Sequence, residues 1–332
     1  SPYSIKMRAV LRYRRISHRW VVRGSKEDRG FPNPPVAIIP MLACRDYDVD
    51  YSEVMVDSSP QILRLEENYS ARSLLPTDPV IGFFDHLIED YGDEWVTKMM
   101  YHYRWHHTYV DAIAKAGNML PLMSDNQMNP EQHREIKDFI TKRQMNRTAL
   151  VGSTDQNRDV IEDSFIRLLT PLATHLTEHQ FLLGSRPGRG AFGLFGQFSQ
   201  LFCWEPDSSL LAARQSPRSV IWAYQVDDLS SLEISENEGW VTRNNLPESL
   251  LSLLAEIGRT YAPFLIANEQ AIEAKDPELS CLIEGREYKQ APFAYQNKCL
   301  NWIREAFRQL SADDQQAVAQ ILNGTGCEVL FA

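Results

Sequence analysis

The chain of 332 residues lacks the features that mark several common chemistries. Its five cysteines, Cys44, Cys203, Cys281, Cys299 and Cys327, are odd in number and scattered, with no Cys-x-x-Cys pair. That argues against a cysteine-rich metal site and predicts unpaired thiols in a reducing, cytoplasmic compartment. No Gly-x-Ser-x-Gly elbow and no Walker loop is present, so neither a serine-hydrolase nor a P-loop signature is available. No run of about 18 apolar residues occurs, so no membrane-spanning helix is expected. The polar, basic start lacks a signal-peptide pattern.

What is present describes a globular protein: hydrophobic residues are 43% and aromatics 10%, enough for a substantial core and two domains. The net charge of −10 is unevenly placed, with 12 Lys+Arg against 9 Asp+Glu in residues 1–75 and 22 against 35 beyond them. A mildly basic first part joined to an acidic larger part argues against nucleic-acid binding by the whole chain. It suits a small anionic ligand on the first part.

The chain opens with Ser1-Pro2-Tyr3-Ser4 and runs at once into an amphipathic helix with Met7, Val10 and Leu11 on its apolar stripe. Pro2 suits a first helical turn, and Ser1 or Ser4 then presents a hydroxyl beside the unpaired N–H groups of the helix start. The pattern predicts strands over 18–23 around Trp20, over Val36–Ile39 ending at Pro40, and over Glu53–Val56 after an acidic turn at Asp46, Asp48 and Asp50. Asp57-Ser58-Ser59-Pro60 reads as a helix N-cap, with Ile62 and Leu65 facing inward. Residues 70–77 form a linker. Beyond it strands nearly vanish, and Val80, Phe84, Leu87, Tyr91, Trp95, Met99 and Tyr103 line one long helix. Further helices are expected near 131–145, 156–179, 191–204, 215–229, 247–274, 293–310 and 312–322, with loops at 205–209 and 276–287 among the connections.

Three patterns have plain structural explanations. Gly188-Arg189-Gly190-Ala191-Phe192-Gly193 matches Gly-x-Gly-x-x-Gly but follows a helix, so it reads as a loop entering a helix rather than a dinucleotide site. His102 with His106 and His175 with His179 have zinc-like spacing, with Glu178 inside the second pair, but neither pair shows a third ligand in its pattern, and no metal is expected. The run Tyr101-His102-Tyr103-Arg104-Trp105 cannot all face inward, so part of it is expected to look into a cleft or another subunit.

Together these pieces resemble the glutathione transferase family. The resemblance implies an α+β thioredoxin-like N-terminal domain over residues 1–72, here without its first strand, followed over 78–332 by a larger all-α domain with a C-terminal extension. Ser1-Pro2-Tyr3-Ser4 is similar to the Cys-Pro-Tyr-Cys of glutaredoxins, which implies Ser1 as the catalytic contact to the glutathione sulfur and Tyr3 beside it. Ile39-Pro40 is similar to the residue and cis-Pro that close the third strand, the backbone of Ile39 pairing with the cysteinyl part. Asp57-Ser58 is similar to the pair that holds the γ-glutamyl end, Ser58 and the helix start taking its carboxylate and Asp57 its ammonium. Phe181-Leu182-Leu183-Gly184-Ser185-Arg186-Pro187 resembles the segment entering the central buried helix. There the family's capping Ser or Thr and Asp are replaced by Gly188 and Ala191, so this helix must be capped another way.

The resemblance implies a cytoplasmic homodimer whose partners are glutathione and an apolar electrophile, with no nucleic acid and no membrane. Glutathione enters as co-substrate, its thiol activated for attack on an electrophile held by Tyr101, Tyr103, Arg104 and Trp105. Ser1 provides no thiol, so disulfide exchange on the protein is not expected there. The alternative is a non-catalytic glutathione-binding, ligand-binding or interaction protein of the same fold.

Overall fold

The computed structural model describes residues 1–34, 36–44, 51, 53–235 and 238–331. The acidic turn expected at Asp46, Asp48 and Asp50 lies outside them. Helix α1 (Pro2–Tyr13) starts where the stripe predicts, with Ser1 at its N-cap and Pro2 in its first turn. Met7, Val10 and Leu11 are buried.

Two expected strands are corrected. Residues 18–23 are irregular: Trp20 lies 5.2 Å from the Arg8 guanidinium on α1 and stays half-exposed. The run Trp20-Val21-Val22 favours a strand only where a neighbour supplies the ladder, and among the described residues none pairs with this segment. Val36, Ile38 and Ile39 are likewise exposed, and strand β1 (Met41–Cys44) begins only after Pro40. Lacking an N–H, proline cannot join a ladder as donor; pairing starts at the next residue, with Met41 opposite Val56. The Ile39–Pro40 bond is cis, as expected. Strand β2 (Glu53–Val56) runs antiparallel to β1 and leads into α2 (Ser58–Asn68), which buries Ile62 and Leu65. A small α+β part beside a larger, mainly helical one is the expected architecture.

Asp78 caps α3 (Pro79–Tyr91) by accepting from the Val80 N–H at 2.9 Å. This helix continues through a π-helical turn at Gly92–Val96 into α4 (Thr97–Trp105). All seven residues of the expected stripe from Val80 to Tyr103 are buried.

The centre of the helical half is α8 (Arg189–Leu201), which packs on α1 and α3. Asp85 of α3 provides the cap its own sequence lacks: the two carboxylate oxygens accept from the N–H groups of Arg189 and Gly190, each at 2.8 Å. A Cβ on Gly188 would sit 2.3 Å from Asp85 Oδ1, and one on Gly92 would sit 2.8 Å from the Gly193 carbonyl carbon. The glycine pattern therefore serves a cap and a close helix crossing, as its position after a helix predicts.

The other helices of this part are α5 (Val110–Leu122), α6 (Pro130–Met145), α7 (Arg158–His175), α9 (Pro206–Gln215) and α10 (Pro217–Val226), the last of which packs on α8. Of these, α5 was not anticipated, and α9 replaces an expected loop because Pro206 starts a helix instead of interrupting one. Helix α11 (Glu248–Ala274) is long and apolar enough to cross a membrane by length and composition alone. Leu254, Ile257, Tyr261, Phe264 and Leu265 bury it in the core. A hairpin then departs from the all-α expectation: β3 (Leu279–Ile283) pairs with β4 (Arg286–Gln290) through a turn with positive φ at Glu284 and Gly285. Helices α12 (Ala294–Arg308) and α13 (Ala312–Leu322) follow.

Candidate functional site

The starts of α1 and α2 converge on the π-helical turn after α3. Lys6, fully buried, donates from Nζ to Glu89 Oε1 at 2.8 Å and Asp93 Oδ2 at 2.6 Å. Ser59, in the first turn of α2, donates to the same Glu89 oxygen at 3.1 Å. Burial opposes the charge on Lys6, but Asp93 and Glu89 outweigh it and raise its pKa. Burial also works against Glu89, whose carboxyl Lys6 and Arg189 nonetheless hold down at about 2. Burial dominates at Asp93, Asp90 and Glu94, whose carboxyls are pushed up to about 6, 7 and 8. The site is thus underlain by one firm ion pair and by carboxyls that burial favours in the neutral form.

Gln61 ties the remaining parts together. Its Nε2 donates to Pro40 O at 3.0 Å and to Met55 O at 2.9 Å, so the cis-proline segment, the end of β2 and the start of α2 share one amide. Ile39 beside it is exposed and makes no hydrogen bond among the described residues. Asp57 stands at the N-cap with φ 76° and no side-chain cap bond, which leaves the first-turn N–H groups of α2 uncapped by it. Ser58 is buried, and its hydroxyl makes no hydrogen bond among the described residues. A helix start with unspent N–H groups and an idle hydroxyl suits a carboxylate.

The predicted residues do not all have the expected orientation. Tyr3 is turned toward the helical half: its hydroxyl donates to Asp93 O at 2.8 Å and lies 3.2 Å from Thr97 Oγ1. Ser1 as a residue is exposed at the start of α1, but its nitrogen is tucked in: desolvation first, and the charge of Arg104 second, lower the ammonium pKa to about 6. Arg104 is buried, bonded to Glu205 and, at 2.8 Å, to Gln200 Oε1, and it stacks 4.6 Å over Trp204. Tyr103 packs 5.1 Å from Phe165, Trp105 is buried, and the Tyr101 hydroxyl donates to Gln144 O at 2.9 Å. Their side chains are taken up by contacts with α4's neighbours, so the expectation of an open aromatic wall is corrected to helix packing.

Asp57 is contacted from far along the chain. Tyr295 of α12 donates its hydroxyl to Asp57 Oδ2 at 2.6 Å, and Gln296 Nε2 donates to Glu94 Oε2 at 3.2 Å. Sequence reasoning found neither, nor Gln61. A partner 238 residues away leaves no local signal, whereas an amide between the inward-facing Ser58 and Ile62 was a readable one.

The histidine pairs sit in ordinary hydrogen-bonded settings. His102 is buried against Ser153 Oγ at 2.8 Å and Glu162 Oε1 at 3.2 Å, while His175 lies 2.9 Å from Ser249 Oγ. His106 and His107 each place Nε2 3.3 Å from Asp155 Oδ1, so three potential ligand atoms lie within 4.8 Å of one another. A cavity of about 760 Å³ lies at the opposite end of α1, among Arg14, Arg15, Tyr69, Arg72 and Glu233. None of the predicted site residues lines it, and its size alone does not outweigh the chemistry gathered at the helix starts.

Residues 1–73 match the family model described as Glutathione S-transferase, N-terminal domain. No curated protein and no solved structure matches the chain.

Proposed function

We propose that the protein binds glutathione across the starts of α1 and α2 and activates its thiol, a reading supported by the match of residues 1–73 to the glutathione S-transferase N-terminal domain model. The supporting observation is the unspent bonding capacity gathered there: the exposed backbone of Ile39, the idle hydroxyl of Ser58 and the uncapped first turn of α2. In this reading Ile39 pairs with the cysteinyl backbone, and Ser58 with the helix start takes the γ-glutamyl carboxylate. Asp57 takes the α-ammonium through Oδ1, the oxygen that Tyr295 leaves open. Pro40 holds the turn, and Tyr3 fixes α1 against the π-helical turn rather than touching the ligand.

Near its ordinary pKa of about 8.5 a thiol is mainly protonated at neutral pH. A hydroxyl from Ser1 and the α1 N-terminal amides favour the thiolate, which then attacks an apolar electrophile. Loss of glutathione-affinity retention in Ser58→Ala supports the binding site; retention equal to wild type removes Ser58 from it.

A second reading, binding of glutathione or another ligand without turnover, has its own support. Tyr103, Arg104 and Trp105 are buried and partnered, so they form no open surface for an electrophile. A panel of electrophiles separates the readings: glutathione conjugation slowed by Ser1→Ala favours the transferase, and binding without conjugation favours the second. The cytoplasmic setting and the homodimer belong to the first proposal. A mass measurement in solution at the dimer value supports the latter.

A further inference from the structure

The C-terminal extension reaches the start of α2 through α12, and the contact is built rather than incidental. Asn268 of α11 is fully buried. It clamps the backbone of Phe293 from both sides, donating from Nδ2 to the carbonyl at 3.1 Å and accepting at Oδ1 from the N–H at 2.8 Å. Phe293 is the N-cap of α12, so this clamp sets where the helix begins. Gln296 bonded to Glu94, and the buried Cys299 and Leu300, fix its first turns against the π-helical turn. Trp302, one helical repeat on, meets the Tyr295 ring edge-on at 6.2 Å. Tyr295 is therefore placed by the clamp on Phe293 two residues before it and by its ring contact, and its hydroxyl ends on Asp57 Oδ2 at 2.6 Å.

Asp57 needs such a partner. Its backbone has φ 76°, outside the regions an Asp usually adopts, and its side chain makes no cap bond to its own helix. A carboxylate has two oxygens and about four acceptor sites. With Oδ2 engaged by Tyr295, Oδ1 makes no hydrogen bond among the described residues and remains for a ligand.

We propose that Tyr295 is a positioning residue of the thiol-peptide site, holding Asp57 so that Oδ1 faces the α-ammonium of the γ-glutamyl group. The C-terminal extension then sets the selectivity of the N-terminal part for a ligand carrying a free α-amine. This inference rests on the glutathione reading above, and it adds to that reading a determinant from a region the family model does not cover.

The experiment compares wild type, Tyr295→Phe and Asp57→Asn by titration calorimetry with two ligands: glutathione and its des-amino analogue, in which hydrogen replaces the α-amine. Phe keeps the packing on Trp302 and removes only the hydroxyl. Wild type should prefer glutathione. Tyr295→Phe should lose about tenfold in glutathione affinity, the scale of one hydrogen bond to a charged group, and bind the des-amino analogue within about twofold of wild type. A purely structural role would weaken both ligands equally or neither, and either result overturns the proposal. If Asp57→Asn abolishes the preference for the amine while Tyr295→Phe preserves it, the glutathione reading stands and Tyr295 is excluded. If wild type binds neither ligand, the glutathione reading itself fails and this inference with it.

Discussion

The two ends of the proposed ligand site are built in opposite ways. At the thiol end, Ser1 and Ile39 are exposed, and the backbone of Ile39 has no partner among the described residues. At the γ-glutamyl end, Ser58 is buried, Ser59 reaches Glu89, and Asp57 is held by Tyr295. The embedded end draws its geometry from the helical half and the C-terminal extension; the exposed end draws little beyond α1 itself. Damage at the first should therefore cost stability as well as binding, and damage at the second should cost function alone.

The sharpest break is at the junction beneath both ends. Lys6→Met leaves Glu89 and Asp93 buried without their shared cation, and we expect a loss of about 3–5 kcal/mol in chemical denaturation. A loss under about 1 kcal/mol would mean that Arg189, whose Nη1 lies 3.3 Å from Glu89 Oε2, suffices alone. The next effect depends on pH. Burial raises the Glu94 carboxyl to about 8, so its contribution is complete below the unfolded value near about 4.3 and is lost as pH rises through about 8. Glu94→Gln stays neutral and keeps an acceptor for Gln296. The variant should therefore gain on wild type steadily from about pH 5 to pH 8, by about 1–3 kcal/mol at the upper end. A pH-independent difference in melting temperature would show Glu94 to be ionised throughout.

Gln61→Ala removes the amide shared by Pro40 and Met55 and should destabilise by about 1–2 kcal/mol while weakening glutathione binding. Unchanged binding would detach the cis-proline segment from the site. The smallest effect on the fold is expected at the exposed end. Ser1→Ala should leave the melting temperature within about 1 °C, because surface changes away from packed features seldom matter, and should slow conjugation without greatly changing binding.

Much of this was legible locally. Apolar spacing marked α1, α2 and the long helix from Pro79, and Pro40 with Asp57-Ser58 marked the turn and the helix start. The strands near Trp20 and Val36–Ile39 were misplaced because β-branched and aromatic residues signal fit to a pleated surface, not the presence of a partner strand. The hairpin at 279–290 escaped because its turn is Glu284-Gly285, β4 carries the charges Arg286, Glu287 and Lys289, and β3 exposes Leu282, although Leu279, Ile283 and Tyr288 do point inward. Asp85 could have been found as an acid on the inward face of an apolar helix, one that caps α8 where Ala191 cannot. Tyr295 and Asn268 could not, since their roles arise only when α11 and α12 are packed against the first hundred residues.

The most direct test of the central claim is retention on immobilised glutathione, read for wild type and Ser58→Ala side by side, with circular dichroism confirming that both are folded. We expect wild type to be retained and released by competing glutathione, and Ser58→Ala to pass through. A folded wild type that is not retained, or a variant retained equally, would contradict a glutathione site at the start of α2.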